Sequence, residues 1–318
     1  MPAETLIGIE IGGTKLQLVT ASLSCDILQS IRYTIQAEDG AEAIREQIQR
    51  GLQELKATEH AIAIGVGFGG PVNPDTGIIA TSHQVEGWSR FPLKEWLQQM
   101  INKPVVVDND ANVAALAEAC YGKGKGHSRV FYMTIGSGIG GGMVIDGSIY
   151  HGCLPGEAEV GHLRLDKKGT TLESKCSGWA LNKKIRNYIN HHPDSVFAQL
   201  SLNHTGPEAT LLQPALAQSD EAAAKIVSEL TDDMAFALSH VVHLFHPHIL
   251  VLGGGLSFLG DRLSKPVSQQ LPRYVMQAFH PVPFVEIGTL GEQAVTLGAV
   301  ELARKAFLSK KTINLYQV

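Results

Sequence analysis

The chain is poor in the residues that mark several function classes. It holds 4 cysteines in 318 residues, Cys25, Cys120, Cys153 and Cys176, and no two have CxxC spacing. That argues against a disulfide scaffold and against a cysteine-built zinc site. It has no basic excess: 26 Lys+Arg stand against 31 Asp+Glu, a net charge of −5. The electrostatic footprint of a nucleic-acid binder is therefore missing. No run approaches the ~20 apolar residues of a membrane span. The start, Met1-Pro2-Ala3-Glu4-Thr5, lacks the basic region and apolar stretch of a signal peptide. The expectation is a soluble, cytoplasmic protein with neither nucleic acid nor membrane as partner. Aromatic residues make up 6% and charged residues 18%, but 44% of the chain is hydrophobic, enough for an ordinary core and too much for disorder. The length suggests about two domains.

What the chain has in quantity is glycine: 33 residues, and they cluster. Leu6–Ile11 and Leu16–Val19 read as two strands around Gly12-Gly13-Thr14-Lys15, with Cys25–Tyr33 as a third strand. Residues 39–56 carry a helical stripe of Ala43, Ile44, Ile48, Leu52 and Leu55. Ala61–Phe68 is a buried strand ending in Gly69-Gly70-Pro71, Pro92–Met100 a short helix, Pro104–Val107 a strand, and Ala111–Tyr121 a helix stopped by Gly122. The pattern then repeats. Val130–Ile135 is a strand, 136–142 a glycine loop and Met143–Ile145 a strand. A long helix follows at 219–245, a strand at His248–Leu252 ending in Gly253-Gly254-Gly255, and a closing helix at 293–309. Strands alternating with helices give an α/β class, and the repeated hairpin suggests two similar halves.

Glycine lets backbone N–H groups approach phosphate oxygens. The four clusters, 12–13, 65–70, 136–142 and 253–255, therefore point to a nucleotide or polyphosphate, against the plainer reading of tight hairpin turns. Gly65-x-Gly67-x-x-Gly70 and Gly136-x-Gly138-x-x-Gly141 match the dinucleotide fingerprint in spacing, but neither runs into a helix, so that context fails. Gly8 to Lys15 has the wrong spacing for a P-loop.

Asp110, where a strand hands over to a helix, is the general-base candidate; the alternative is that Asn109 or Asp110 only caps that helix. Glu157, Glu159, His162 and Glu173 could hold a polyhydroxy ligand, or could be a solvated acidic turn and a structural histidine. His240, His243, His246 and His248 read as a polar helix face rather than a metal site, since no carboxylate or cysteine adjoins them. Trp88 and Trp179 read as core or covering residues rather than stacking platforms.

Together these motifs resemble the ROK family (repressors, open reading frames and sugar kinases), from about residue 6 to about residue 305. Gly8-Ile9-Glu10-Ile11-Gly12-Gly13-Thr14-Lys15 is similar to its first phosphate loop, and Gly65–Val72 to its G-x-P segment. Asn109-Asp110-Ala111-Asn112 is similar to the NDxN motif, and Gly136–Gly142 to the second phosphate loop. Glu159-Val160-Gly161-His162 is similar to the ExGH sugar motif, Leu172-Glu173 to the late sugar-binding glutamate, and Leu250–Gly255 to the nucleotide-contacting strand and loop.

The resemblance implies an actin-like, ribonuclease-H-like pair of α/β lobes with the active site in the cleft between them. The expected small lobe is residues 1–118 plus a C-terminal helix at about 300–318, and the large lobe is 119–299. It implies a homodimer and ATP-dependent, Mg²⁺-assisted phosphorylation of a hexose or N-acetylhexosamine, glucokinase-like, on the 6-OH. Polyphosphate stays open as donor, as does the identity of the sugar. Asp110 inherits the role of base. Gly70, Asn109, Asp110, Glu159, His162 and Glu173 inherit sugar contacts. Glu10, Gly12, Gly13, Thr14, Lys15, Thr134, Gly136, Ser137, Gly138, Gly253, Gly254 and Gly255 inherit nucleotide contacts. Thr81–Trp88 is expected to cover the sugar.

Two departures stand out. The interval Leu163–Glu173 holds no cysteine, where the family carries a zinc-binding CxCGxxGC loop. Cys176 alone cannot rebuild that site, so no structural zinc is expected. Glu10 stands where the family usually has Asp, one methylene shorter, and it is the candidate Mg²⁺ contact. The rival class is a non-catalytic, sugar-responsive regulator. The first phosphate loop begins at Gly8, so a helix-turn-helix ahead of it is not expected.

Overall fold

The computed structural model describes residues 4–57, 59–80, 85–154 and 156–315. The first three residues of the Met1–Thr5 start, the 81–84 part of the expected sugar cover, and 316–318 of the expected C-terminal helix lie outside it. The chain divides into two compact units. One contains the described residues of 1–122, 147–157 and 292–318, the other those of 123–146 and 158–291.

The first unit is built on strands β1 (Thr5–Ile11), β2 (Lys15–Ala21), β3 (Ile27–Thr34), β4 (Ala61–Phe68) and β5 (Val105–Asn109), in the order β3-β2-β1-β4-β5. β1, β2 and β3 form an antiparallel meander, with Ile11 opposite Leu16 closing the first hairpin. β4 and β5 add in parallel, which requires crossovers. Helix α1 (Gly40–Glu54) supplies the first, and buries Ile44, Ile48 and Leu52 as its stripe demands. α2 (Leu93–Ile101) supplies the second. The central strands β1 and β4 are almost wholly buried, as continuous apolar strands covered on both faces should be.

Helix α3 (Asp110–Tyr121) and the closing helix α7 (Ala294–Leu315) pack on this sheet. They come so close that side chains are excluded at the crossing. A Cβ on Gly65 would lie 1.8 Å from the Ala299 carbonyl oxygen, one on Gly8 2.6 Å from the Thr296 oxygen, and one on Gly298 1.9 Å from the Val113 oxygen. This corrects the reading of 65–70 as a phosphate loop. Gly65 and Gly67 are strand residues whose missing side chains admit a helix, and only Gly69 and Gly70 lie beyond the strand end.

The second unit carries β6 (Arg129–Ile135), β7 (Ile139–Ile145), β8 (Ile249–Gly253) and β9 (Phe284–Ile287), in the order β7-β6-β8-β9. Again a tight antiparallel hairpin (β6 and β7) is followed by parallel strands. The expected loop 136–142 is shorter than the sequence implied. Pairing of Ile135 with Ile139 starts β7 at Ile139, and only Gly136-Ser137-Gly138 turns. Gly141 is again a packing glycine, since a Cβ there would meet the Ala158 oxygen at 2.8 Å. The long helix α6 (Glu221–Phe245) starts at Asp220, whose side chain accepts from Ala223 N. It buries Ala223, Ile226, Val227, Leu230, Met234, Leu238, Val241 and Val242. It ends at His246 in the left-handed conformation, before Pro247.

The histidines at that end serve packing and hydrogen bonding. His246 stacks on Phe279 at 4.3 Å, His240 meets Phe236 edge-on, and His243 Nε2 accepts from Met276 N at 3.1 Å. Among the described residues no helix is long and apolar enough to cross a membrane.

Candidate active site

In the first unit the hairpin turn and the β5–α3 junction gather the acidic groups. Glu10, near the end of β1, is buried, and its Oε1 lies 3.0 Å from Lys15 Nζ, across the turn in β2. Its Oε2 is also buried and has no hydrogen-bond partner among the described residues. Burial raises the Glu10 pKa to about 7, offset in part by Lys15 and reinforced by the charge of Asp110. A buried, unpartnered carboxylate oxygen is the donor type a hard divalent cation takes. Lys15 also donates to the Glu292 carbonyl at 3.4 Å, so it is braced by the start of the closing segment. Gly12 N donates to the Lys15 carbonyl at 2.9 Å, which leaves Gly13 and Thr14 at the tip.

At the junction the capping alternative holds for Asn109. Its Oδ1 accepts from Ala111 N at 2.9 Å and Asn112 N at 3.3 Å. Its Nδ2 donates to the Gly70 carbonyl at 3.1 Å, tying the β4 exit to the head of α3. Asp110 is the first residue of α3, and its Oδ1 accepts from Ala111 N at 2.8 Å. Its Oδ2 faces the Gly69 backbone, where a Cβ would lie 3.4 Å away and also 3.3 Å from the Ile11 oxygen. Glycine at 69 therefore lets the β1 end, the β4 exit and Asp110 meet. Glu10, Gly12, Gly70, Asn109 and Asp110 all come together here.

Behind Asp110 lies a buried carboxylate that no motif marks. Asp108 is buried. Its Oδ1 accepts from Asn109 N at 2.7 Å and from Asn112 Nδ2 at 3.1 Å, and its Oδ2 accepts from His151 Nε2 at 2.7 Å. Asn112 Nδ2 also donates to Glu157 Oε1 at 2.5 Å, and Glu157 Oε2 accepts from Gly152 N at 3.1 Å. Glu157 is thus a bonded residue of the first unit, not a solvated turn.

In the second unit the other expected residues collect at the start of β7. Glu173, on the short helix α4 (Leu172–Cys176), accepts from Ile139 N at 2.7 Å through Oε2. Glycine at 138 gives this carboxylate room, because a Cβ there would lie 2.6 Å from that oxygen and Glu173 would have to shift. The turn Val160–His162 packs on the same spot, with Gly161 so close to the Ile139 carbonyl that a Cβ would lie 2.3 Å from it. His162 Nδ1 and Glu159 Oε2 are 3.8 Å apart, and both side chains are exposed. Cys176 is consumed by the core. Its thiol donates to the Leu230 carbonyl at 3.9 Å, and burial pushes its pKa to about 12.

The second hairpin is clasped from outside. Helix α5 (Gly178–His191) begins at Ser177, and Gly178 N donates to the Gly136 carbonyl at 2.8 Å while Trp179 N donates to the Ser137 carbonyl at 3.3 Å. Beside this clasp lies a cavity of about 210 Å³ lined by Gly136, Ser137, Trp179, Pro207, Ala209, Gly255, Leu256 and Phe258. Asn182 holds one wall by accepting from Ala209 N at 2.8 Å. The core-or-covering expectation divides between the two tryptophans: Trp179 is 62% exposed and lines this cavity, whereas Trp88 is core and 1% exposed. Gly254 adopts φ +79°, and a Cβ there would meet Thr134 Oγ1 at 2.6 Å, so Thr134 and Gly253–Gly255 meet where β8 leaves the sheet. The cavity walls from 207–209 and Phe258 carried no periodic or glycine signal.

A glucokinase from Thermotoga maritima is 30% identical over 313 residues, covering 96% of this chain and 99% of that one. Among solved structures, a ROK family glucokinase from Streptomyces griseus in complex with glucose and AMPPNP superposes with a TM-score of 0.82 at 29% identity, covering 95% and 99%. A ROK family transcriptional regulator, a homologue of the E. coli MLC protein, has a TM-score of 0.85 at 21% identity, covering 96% of this chain and 79% of that one, and so shares the fold. The mixed α/β architecture is that of the actin-like, ribonuclease-H-like ROK proteins. The ROK family model matches residues 6–306, nearly the whole chain, and the protein belongs to the ROK family.

Proposed function

We propose that the protein is an ATP-dependent hexose kinase that phosphorylates a 6-hydroxyl, with D-glucose the first substrate to try. The observation that carries this reading is the meeting of Asp110 with the charged Glu10–Lys15 hairpin. A protein that only binds sugar needs no carboxylate poised beside a phosphate turn; phosphoryl transfer needs both. The names of the glucokinase relatives support the same activity.

In this mechanism Asp110 accepts the proton of the sugar hydroxyl as the oxygen attacks the γ-phosphorus, and the bond to the β-phosphate oxygen breaks. Asn109, Glu159, His162 and Glu173 hold sugar hydroxyls. Oxygen atoms of the triphosphate face the backbone of Gly12–Thr14 and Gly136–Gly138, and the adenine enters the cavity beside Trp179 and Phe258. Glu10, with its buried and unpartnered Oε2, would hold a magnesium ion, which would neutralise phosphate charge.

The test is ADP release from Mg-ATP across a panel of hexoses and N-acetylhexosamines. Asp110→Asn should lower kcat by roughly 10²–10⁴-fold with sugar affinity nearly intact. A near-normal kcat in that variant would refute the assignment of the base. Silence of the wild type on every sugar would favour a regulator or another phosphoryl donor.

A further inference from the structure

The segment 147–157 leaves the second unit's residues on both sides in sequence, yet belongs to the first unit. It is fastened to the β5–α3 junction at two points. One is His151 on Asp108, at 2.7 Å; the other is Glu157, which takes Asn112 Nδ2 and Gly152 N. Both fastenings end on the hydrogen-bond set that shapes the head of α3. Asp108 Oδ1 accepts the backbone N–H of Asn109 itself, and Asn112 Nδ2 bridges Asp108 and Glu157.

We propose that His151 is a positioning residue: its imidazole hydrogen-bonds to Asp108, and through the Asn109 N–H held by the same carboxylate it fixes where Asn109 and Asp110 present their side chains. Asp108 is buried with only 4% of its side chain exposed, so its charge needs a partner. Removing that partner leaves a buried carboxylate directly behind the reacting residues. His151 itself is partly exposed and touches no group assigned to substrate. The charged groups that face it are Asp108 first, then Glu157 and Asp75, all acidic. They hold its pKa above the ordinary histidine value, the Asp108 hydrogen bond outweighing partial burial. The clamp is therefore complete below that raised value and weakens as the pH rises through it.

The kinetic arm of the test rests on the hexose-kinase reading; a second arm does not. In the full-length ¹⁵N-labelled protein, the backbone amides of Asn109 and Ala111 should shift with pH along the same curve as the His151 imidazole nitrogens. In His151→Gln, which keeps a donor but cannot titrate, they should stay flat over that range. If the wild type turns over sugar, His151→Ala should lower kcat about 10–100-fold with less than a threefold change in sugar KM. His151→Gln should restore most of that loss and abolish the alkaline fall of kcat that the wild type shows. Amides that ignore His151 titration, or His151→Ala with wild-type kcat and pH profile, would overturn the proposal. A wild type inactive on every sugar would sink the kinase reading, and the amide titration would then decide the positioning proposal by itself.

Discussion

The two glycine hairpins share a backbone plan but solve different electrostatic problems. The first, Gly12-Gly13-Thr14, is flanked by an ion pair, Glu10–Lys15, with a raised carboxylate pKa and an unpartnered oxygen. The second, Gly136-Ser137-Gly138, has no charged residue in its own flanks from Thr134 to Gly142. It is shaped instead by neighbours: α5 takes its carbonyls, and Glu173 takes the N–H just past it. The first offers charge, and the second offers fixed backbone beside an apolar cavity. On the proposed kinase reading, the duplicated hairpin would be the scaffold for phosphate, and the flanking residues would decide which end of the nucleotide lies at each.

That contrast can be broken in stages. Glu10→Gln removes the carboxylate that suits magnesium but leaves the hairpin's backbone intact. It should cost on the order of 10²-fold in kcat and raise the magnesium concentration for half-maximal rate. An unchanged magnesium requirement would move the metal away from the first hairpin.

At the second hairpin, Gly136→Ala and Gly138→Ala should separate. A Cβ on Gly138 strikes Glu173 at 2.6 Å, so this variant should raise both sugar and ATP KM by roughly tenfold. A Cβ on Gly136 meets nothing within 4 Å, so that protein should melt like the wild type and lose affinity for ATP alone. Equal effects would mean the hairpin is only a turn. Trp179→Ala should weaken ATP about 3–10-fold, read by calorimetry, while leaving sugar binding unaltered.

A last test compares two of the buried carboxylates of the first unit, Glu10 and Glu301. Burial favours protonation in both, and it wins at Glu10. At Glu301 it is outweighed by Arg304, which donates twice at 2.7 Å, and by Tyr121, so the Glu301 pKa is lowered. A carboxylate lowered on folding stabilises above its unfolded pKa of about 4.5, and that share is lost as pH falls through the folded value. Glu301→Gln should therefore cost about 1–3 kcal/mol near neutrality and shrink the gap to wild type in acid, measured by melts at several pH values. A gap constant with pH would show that Arg304 is not holding the charge.

Much of the frame was legible because its signals are local. Alternation and glycine placed both hairpins, a period near 3.6 placed α1 and α6, and Asp220 and Pro247 bounded α6 to within two residues. Where the reading slipped, glycine was ambiguous. Gly65, Gly67 and Gly141 carry the same letter as loop glycines, but they sit in strands where a neighbour fills the side-chain space: backbone oxygens of Ala299 and Ala158 at Gly65 and Gly141, and the Val295 side chain at Gly67. No single-chain pattern distinguishes a glycine that turns from one that admits a neighbour.

The candidate site divides in the same way. The order Glu10, Asn109–Asp110, Glu159–His162, Glu173 was readable because each is embedded in a short motif. The Asp108–His151 pair is 43 residues apart, and His151 has no motif around it. The cavity by Trp179 draws on residues from 135 to 258. The sequence by itself determined the elements, their alternation and the residue types offered to the chemistry, since propensity, capping and periodicity act within a turn or two of chain. Only the tertiary structure decided which carboxylate oxygen was left unpartnered, which histidine met a buried carboxylate and which tryptophan stayed in water. Burial and pairing depend on distances between segments that no local pattern encodes.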